Sequence, residues 1–322
     1  MINVLMTSAG RRVEIIESFK EARDSLNIDG NVVAVDINRT APALYHADKH
    51  YLVSKITDDN YILDIIDICK KEEIHLIVPT IDTELYKLAQ NKETIESNTN
   101  AKVQISDSTV IKICRDKYNT QHFFEENNFG VPRLINKDAI EMKDYNFPLF
   151  IKPLNGSSSI NTFKVDNEKE LQFFMDYVPS PIVQECVEGE EYTIDAFTDF
   201  NSNVITIVPR LRLATRGGEV SKGMIKKDRD IIDEVKKILD TLKPVGHITL
   251  QCIKTNKGIK FIEINPRFGG GAPISIKSGA NSPRNLYKLL MGESLKYNED
   301  YEDGLLALRY DQAVFLSNKE VF

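Results

Sequence analysis

In the stretch FIEINPRFGGGAP an acid, an amide and an arginine stand at alternate positions, Glu263, Asn265 and Arg267, with Gly269, Gly270 and Gly271 directly behind them. Alternate residues of an extended strand share a face, so a strand through this segment presents Glu263 and Asn265 together. The segment before it, HITLQCIKTNKGIKFIEI, alternates on both sides of Asn256-Lys257-Gly258 and reads as a hairpin, which sets Gln251 beside Glu263. One carboxylate and two amides offer hard oxygen donors, suited to a Mg2+ ion that keeps nucleotide phosphates as its remaining ligands. Arg267 then stands where a transferring phosphoryl group needs a cation. Bare glycine backbone behind it can approach an anion closely and direct N–H groups at it.

Further upstream, FPLFIKPLNGSSSINTFKV reads as two strands joined by a small-residue loop, Gly156, Ser157, Ser158 and Ser159, predicted to be a mobile lid that covers phosphates with backbone N–H groups. Lys152 lies in the apolar run LFIK, where an ammonium must find an anion or carry its desolvation. In IVQECVEGEEYTID, Ile182, Val183 and Val187 suggest a wall for an adenine ring, with Glu185 and Glu191 as acceptors for its amine and the ribose hydroxyls. An edge strand with solvated glutamates has the same composition.

The elements that must position these groups begin with a parallel sheet. INVLM, NVVAVD and IHLIVP are apolar strands, alternating with helices that start at Val13, in NYILDIIDICKKEE and in DTELYKLAQNK. That alternation means an open α/β unit over residues 1–110. Its first loop has a single glycine, Gly10, short of the three a dinucleotide fingerprint needs, so it reads as a structural or substrate-side loop. Arg11 and Arg12 at a helix N-terminus suit an anionic group, or are a solvated pair. Asp82 and Glu84 follow a strand end, where open sheets bind ligands; helix capping by Asp82 or Thr83 explains them equally. SDSTVIKICRDKYNTQHFFEENNFGVPRL reads as one helix, capped by Ser106 or Ser108 and stopped near Asn128 and Gly130.

With 322 residues, 42% of them hydrophobic, the chain suffices for two or three packed units. A net charge of −7 without a basic block argues against nucleic-acid and membrane partners and for small molecules. No apolar run reaches membrane-spanning length and the N-terminus is a strand pattern, so a cytoplasmic location is expected. Cys69, Cys114, Cys186 and Cys252 show no CxxC spacing and are expected as reduced thiols. The five histidines are dispersed, and no Ser/His/Asp or Cys/His set stands out for covalent catalysis.

Taken in chain order, Lys117, Lys152 with its Gly/Ser loop, the hinge QECV, Glu191, Gln251, Glu263, Asn265 and Arg267 resemble the ATP-grasp superfamily. FIEINPRFGGGAPISIKSGAN is similar to its carbamoyl-phosphate-synthase-like branch, whose stand-alone members are carboxylate–amine ligases. The resemblance implies an α/β chain with an N-terminal parallel α/β (pre-ATP-grasp) domain at residues 1–110 and a two-lobed α+β ATP-grasp domain. The small lobe with the lid loop would span 111–183, and the C-terminal lobe with the metal site 184–322.

The same resemblance assigns roles. Lys117 and Lys152 bind nucleotide phosphates, and Gly156 to Ser159 cover the β- and γ-phosphates. The backbone at Cys186 and Val187 reads the adenine edge, Glu185 or its neighbour Gln184 accepts the adenine amine, and Glu191 takes the ribose. Gln251, Glu263 and Asn265 hold Mg2+, with Mn2+ as the alternative, and Arg267 steadies an acyl phosphate. Gln251 is neutral where many amide ligases carry Asp or Glu, which implies a weaker site for one metal. Among the arginines of PRLRLATRGGEVSKG, Arg216 beside the glycines is the one expected to face a substrate carboxylate, an anion that suits a guanidinium fork; Arg210 or Arg212 can be a solvated basic strand. The implied reaction joins a carboxylate and an amine at the expense of ATP, in a fold for which dimers are common. Carboxyphosphate or carbamate formation, and a non-catalytic nucleotide-binding regulator, are the competing readings.

Overall fold

The computed structural model describes residues 1–154 and 160–321, so the lid expected at Gly156, Ser157, Ser158 and Ser159 falls outside the described residues. Strands β1 (Asn3–Thr7), β2 (Val32–Asp36), β3 (Lys49–Leu52), β4 (Ile74–Pro79) and β5 (Lys102–Val103) form a parallel sheet in the order β3-β2-β1-β4-β5. Every residue of β1 and β2 is buried, as in a sheet covered on both faces. Val4, Met6, Val32 and Ala34 pack on Ile16 and Phe19 of helix α1 (Val13–Ser25). The alternate residues Leu5, Val33 and Val35 pack on α2 (Asn60–Lys71), α3 (Asp82–Gln90) and α4 (Lys92–Asn98). Strand order reverses at β1, so the loops after β1 and β4, residues 8–12 and 80–81, meet at the crevice where such sheets bind ligands.

Residues 106–128 form two helices, not the one expected: α5 (Ser108–Arg115) and α6 (Lys117–Glu126). The break is chemical. Asp107 caps the first, accepting from the N–H groups of Thr109 and Val110, and Asp116 caps the second, accepting from Tyr118 and Asn119, so that a second N-cap in mid-pattern ends one helix and starts the next. Lys117 thereby becomes the first residue of α6. After α7 (Lys137–Met142) come β6 (Leu149–Pro153), β7 (Phe163–Val165), α8 (Glu168–Tyr177) and β8 (Pro181–Glu185), with a small antiparallel sheet ordered β7-β6-β8. Leu149, Ile151 and Val183 face the core of this unit, which leaves Lys152 and Gln184 on the opposite face.

The last sheet contains β9 (Glu190–Thr198), β10 (Val204–Arg216), β11 (Glu219–Ile225), β12 (Gly246–Thr255), β13 (Gly258–Asn265) and β14 (Leu306–Leu308), ordered β13-β12-β9-β10-β11-β14 and antiparallel throughout. Helix α9 (Arg229–Leu242) covers one face, where Ile231, Val235, Ile238 and Leu239 meet Tyr192, Ile194, Leu250, Cys252 and Ile264. Because strand side chains alternate, burial of that set turns Glu191, Thr193, Asp195, Thr249, Gln251, Glu263 and Asn265 to the other face. Helices α10 (Ala272–Lys277) and α11 (Ser282–Leu290) then return to the first domain, where Ala272, Ile276 and Leu286 join the core around α1. The α/β class and the succession of a parallel and then antiparallel sheets are as expected. Among the described residues no helix is long and apolar enough to cross a membrane.

Candidate active site

A row of polar side chains in contact crosses four strands on the face of the last sheet opposite α9. Register pairs Gln251 with Glu263, as the hairpin pattern predicts, and Gln251 with Thr193 on the other side. Glu263 Oε1 accepts from Gln251 Nε2 at 2.7 Å and from Asn265 Nδ2 at 2.9 Å. Gln251 Oε1 in turn accepts from Arg212 Nη1 at 2.9 Å, and the same Nη1 lies 2.9 Å from Glu191 Oε1. The three expected metal ligands are thus in contact, and their donor set is hard oxygen with one negative charge, which fits a divalent ion shared with phosphates.

Lys152 and Lys117 feel the charge of Glu263. Lys152 is 7% exposed, and burial, followed by the like charge of Lys117, pushes its ammonium down to about 8 against the pull of Glu263. Lys117 is likewise lowered, first by burial, and its Nζ donates to Pro153 O at 2.6 Å. Two desolvated cations beside one carboxylate form a place for an anion.

The two hinge side chains, Gln184 and Glu185, point to opposite faces of the small sheet. Gln184, buried on the Lys152 face, donates from Nε2 to Gln121 Oε1 at 2.8 Å. Glu185 points to the other face, where its Oε1 accepts from the Arg133 N–H at 3.0 Å and lies 3.3 Å from Lys260 Nζ. The strand period of two decides this: Lys152 pairs with Ile182 and Phe150 with Gln184, so only even-numbered residues share that face. The Cys186 N–H is also committed, to Pro148 O at 3.2 Å.

Arg267 is brought against the first domain. Its Nη2 donates to Asp82 Oδ2 at 2.7 Å, while its Nε and Asp82 Oδ1 are both buried without a hydrogen-bond partner among the described residues. Arg12 comes from the loop after β1, its Nη1 3.4 Å from Glu219 Oε1; burial and the nearby charge of Arg267 lower its pKa. Neither Asp82 nor Thr83 caps α3. Ile81 is its N-cap residue, and the buried Glu84 accepts from the N–H groups of Thr80 and Ile81 and from Ser8 and Tyr61. Desolvation raises the Glu84 carboxyl despite these donors.

Under the Arg267 loop lies a buried network. Asp195 and Arg210, 2% and 1% exposed, pair through Arg210 Nη2 at 3.1 Å and Nε at 3.2 Å. Ser275 Oγ donates to Asp195 at 2.6 Å, and Thr249 Oγ1 bridges Asp195 and the Arg267 carbonyl at 3.3 Å each. Burial alone would raise the Asp195 carboxyl, but the charge of Arg210 and the contacts with His247 and Ser275 hold it below the usual carboxylate range. Phe268 is fully buried, its ring stacked on His247 at 4.2 Å and edge-on to Phe19 at 5.8 Å. Burying such a ring contributes about 1.5–3 kcal/mol, so it is a firm anchor next to Arg267. The glycine run accommodates protein side chains: a Cβ on Gly269, Gly270 or Gly271 would come within 2.8 Å of Thr249 Oγ1, 2.7 Å of Glu219 Oε1 or 2.6 Å of Arg210 Nη1.

Arg216, the expected substrate arginine, is not in the site. Its side chain is 70% exposed and pairs with Asp311, because the hairpin turn at Gly217-Gly218, both at positive φ, carries it to the tip. Arg212 takes the inward place, and Arg210 lies beneath it. Alternation puts both on one face, but whether that face meets solvent or a second domain is invisible in the strand itself. Asp195 was missed as well; a carboxylate inside the apolar run YTIDAF was its only signal.

Residues 4–103 match the family described as PylC-like, N-terminal domain, and residues 114–271 match the ATP-grasp domain family. D-alanine–D-alanine ligase B of Clostridium perfringens is 26% identical over 192 residues, 53% of this chain and 63% of that protein, so the match spans less than two thirds of the ligase. Among solved structures, the biotin carboxylase domain of Hydrogenobacter thermophilus 2-oxoglutarate carboxylase superposes with a TM-score of 0.74 at 17% identity, covering 94% of this chain and 73% of that one. N5-carboxyaminoimidazole synthetase of Staphylococcus aureus, complexed with ADP, gives a TM-score of 0.73 at 15% identity over 92% and 79% of the two chains. At these identities the superpositions establish a shared fold.

Proposed function

For this chain, which belongs to the ATP-grasp family and carries a PylC-like N-terminal domain ahead of its ATP-grasp domain, we propose an ATP-dependent carboxylate–amine ligase that yields an amide, ADP and phosphate. The observation that carries the reading is the contact row Glu191–Arg212–Gln251–Glu263–Asn265 with the desolvated Lys117 and Lys152 beside it. The relative named D-alanine–D-alanine ligase B in Clostridium perfringens supports the reading. In this reading residues 1–110, 111–183 and 184–322 are the N-terminal domain, the small lobe and the C-terminal lobe.

Lys117 and Lys152 hold the nucleotide phosphates, and Glu191 takes the ribose hydroxyls. Val187 presents backbone to the adenine edge, and Gln184, its Nε2 committed to Gln121, offers its Oε1 to the exocyclic amine. Glu263 and Asn265, with Gln251 behind them, hold Mg2+ or Mn2+. The bound magnesium nucleotide supplies the phosphoryl group and the charge neutralisation that let a weak carboxylate nucleophile accept it. Arg267, fixed by Asp82 and anchored through Phe268, stabilises the charge on that group as the carboxylate oxygen bonds to the γ-phosphorus and ADP departs. An amine nitrogen then attacks the acyl carbon, phosphate leaves, and the nitrogen loses a proton. The acid and amine are small molecules admitted where the loops after β1 and β4 meet the Arg267 loop. A cytoplasmic homodimer completes the proposal; the 2-oxoglutarate carboxylase domain is described as a dimer.

Calorimetric titration with Mg-ATP, followed by ADP-release assays over paired small acids and amines, tests this reading. Binding by the wild type, weakened about tenfold or more in Glu263→Gln because a hard dication loses its anionic ligand, is expected. A folded wild type that binds no Mg-ATP refutes the site. Binding without ADP release for any acid and amine favours the regulator.

A further inference from the structure

Gln251 has a single oxygen, and it is already engaged. Arg212 Nη1 donates to Gln251 Oε1 at 2.9 Å and lies 2.9 Å from Glu191 Oε1, while Nη2 donates to Gly218 O at 2.8 Å. These contacts hold the guanidinium from three sides. Its side chain is 6% exposed, and its Nε is buried with no hydrogen-bond partner among the described residues. It sits just before the register shift that separates Arg212 from Ala214 in the β10–β11 ladder, the kind of bulge that re-aims a side chain beside a site.

The charge pattern is specific. Moving along the row, a carboxylate, a guanidinium, a neutral amide, a carboxylate and a second amide follow one another. Glu263 Oε1 receives N–H groups from both amides, so Glu263 and Asn265 form the end of the row open to a cation. The Gln251 end is closed by a fixed cation of the protein's own. A second divalent ion there would have to displace Arg212 from Gln251 Oε1 and stand against its charge, with a neutral amide as the ligand gained.

Building on the reading of this row as a magnesium-nucleotide site, we propose that Arg212 is a nucleotide-binding residue occupying the position of a second divalent ion, so that the site works with one ion, held by Glu263 and Asn265. The guanidinium neutralises phosphate charge permanently, needs no ion to be recruited, and keeps Glu191 oriented for the sugar. A triphosphate or diphosphate nucleotide, which brings several negative charges to Lys117, Lys152 and Arg212, is the ligand class this arrangement takes.

The test is a titration of Mn2+ by electron paramagnetic resonance into the full-length protein saturated with a non-hydrolysable ATP analogue, together with analogue binding as a function of Mn2+. Wild type is expected to hold one Mn2+ per nucleotide-loaded chain. Arg212→Ala should bind the analogue more weakly by on the order of tenfold to a hundredfold at low Mn2+, the range for a lost charge-assisted hydrogen-bond donor. It should regain affinity at high Mn2+ as a second ion enters beside the freed Gln251 oxygen, while Arg212→Lys keeps one ion. Two ions in the loaded wild type overturn the proposal even if no variant folds, and so does Arg212→Ala with unchanged affinity and one ion. A wild type that binds no analogue at any Mn2+ concentration overturns instead the nucleotide-site reading on which it rests.

Discussion

Replacing Lys152 by methionine should make the unliganded protein more stable and deprive it of its nucleotide. Lys152 is buried, and burial with the charge of Lys117 takes its ammonium from 10.5 to about 8. Below about pH 8 both native and unfolded chains carry this proton, and the native state bears the full penalty of a desolvated cation. The difference corresponds to about 3 kcal/mol. As pH rises from about 8 toward 10.5 the native state releases the proton first, so the penalty shrinks, and it vanishes above the unfolded value. Lys152→Met removes the cation at similar length. The variant should melt several degrees above wild type at about pH 7, with a shift of about 2–4 °C for each kcal/mol, and the advantage should fall to about 1 kcal/mol near pH 9.5. Mg-ATP should raise the wild-type melting temperature by linkage and leave the variant's unchanged. Differential scanning calorimetry at the two pH values, with and without Mg-ATP, measures all of this. A variant less stable than wild type at about pH 7, or an advantage that does not change with pH, refutes the idea that Lys152 is held desolvated for an anion.

Arg267→Ala should lower ADP release about a hundredfold, the scale for a removed charge-stabilising donor, while Mg-ATP affinity measured calorimetrically stays near wild type; equal losses in both would make Arg267 a structural partner of Asp82. Gly271→Ala places a Cβ 2.6 Å from the Nη1 of Arg210, which is locked in its pair with Asp195, and should destabilise by about 1–3 kcal/mol in denaturant titration as an overpacked core does. Gly217→Ala, where a Cβ meets no atom within 4 Å and only the positive φ is strained, should lose about 1 kcal/mol at most.

The contacts among Gln251, Glu263 and Asn265 were legible because their information is local. Glu263, Asn265 and Gln251 lie on one hairpin, and a period of two with a short turn settles which side chains meet. The parallel sheet was legible for a similar reason, since strands buried on both faces are uninterrupted apolar runs between helical patterns. Where a polar side chain decided the outcome, as Asp116 did in splitting α5 from α6, the pattern of apolar residues gave no warning. The acceptors and cations from distant segments depended on assembly. Arg212 and Arg216 are the same residue type four positions apart on one strand, and only the turn at Gly217-Gly218 and the neighbouring Glu191 and Gln251 make one an inward cation and the other a surface ion pair. Asp82 and Arg267 are separated by 185 positions in the chain. Their pairing exists because Phe268 packs between His247 of the last sheet and Phe19 of the first domain, which draws the arginine beside it to the end of β4. Local periodicity determines which face a side chain takes, but the partner waiting on that face is set by the docking of two hydrophobic cores, and no short stretch of sequence contains both.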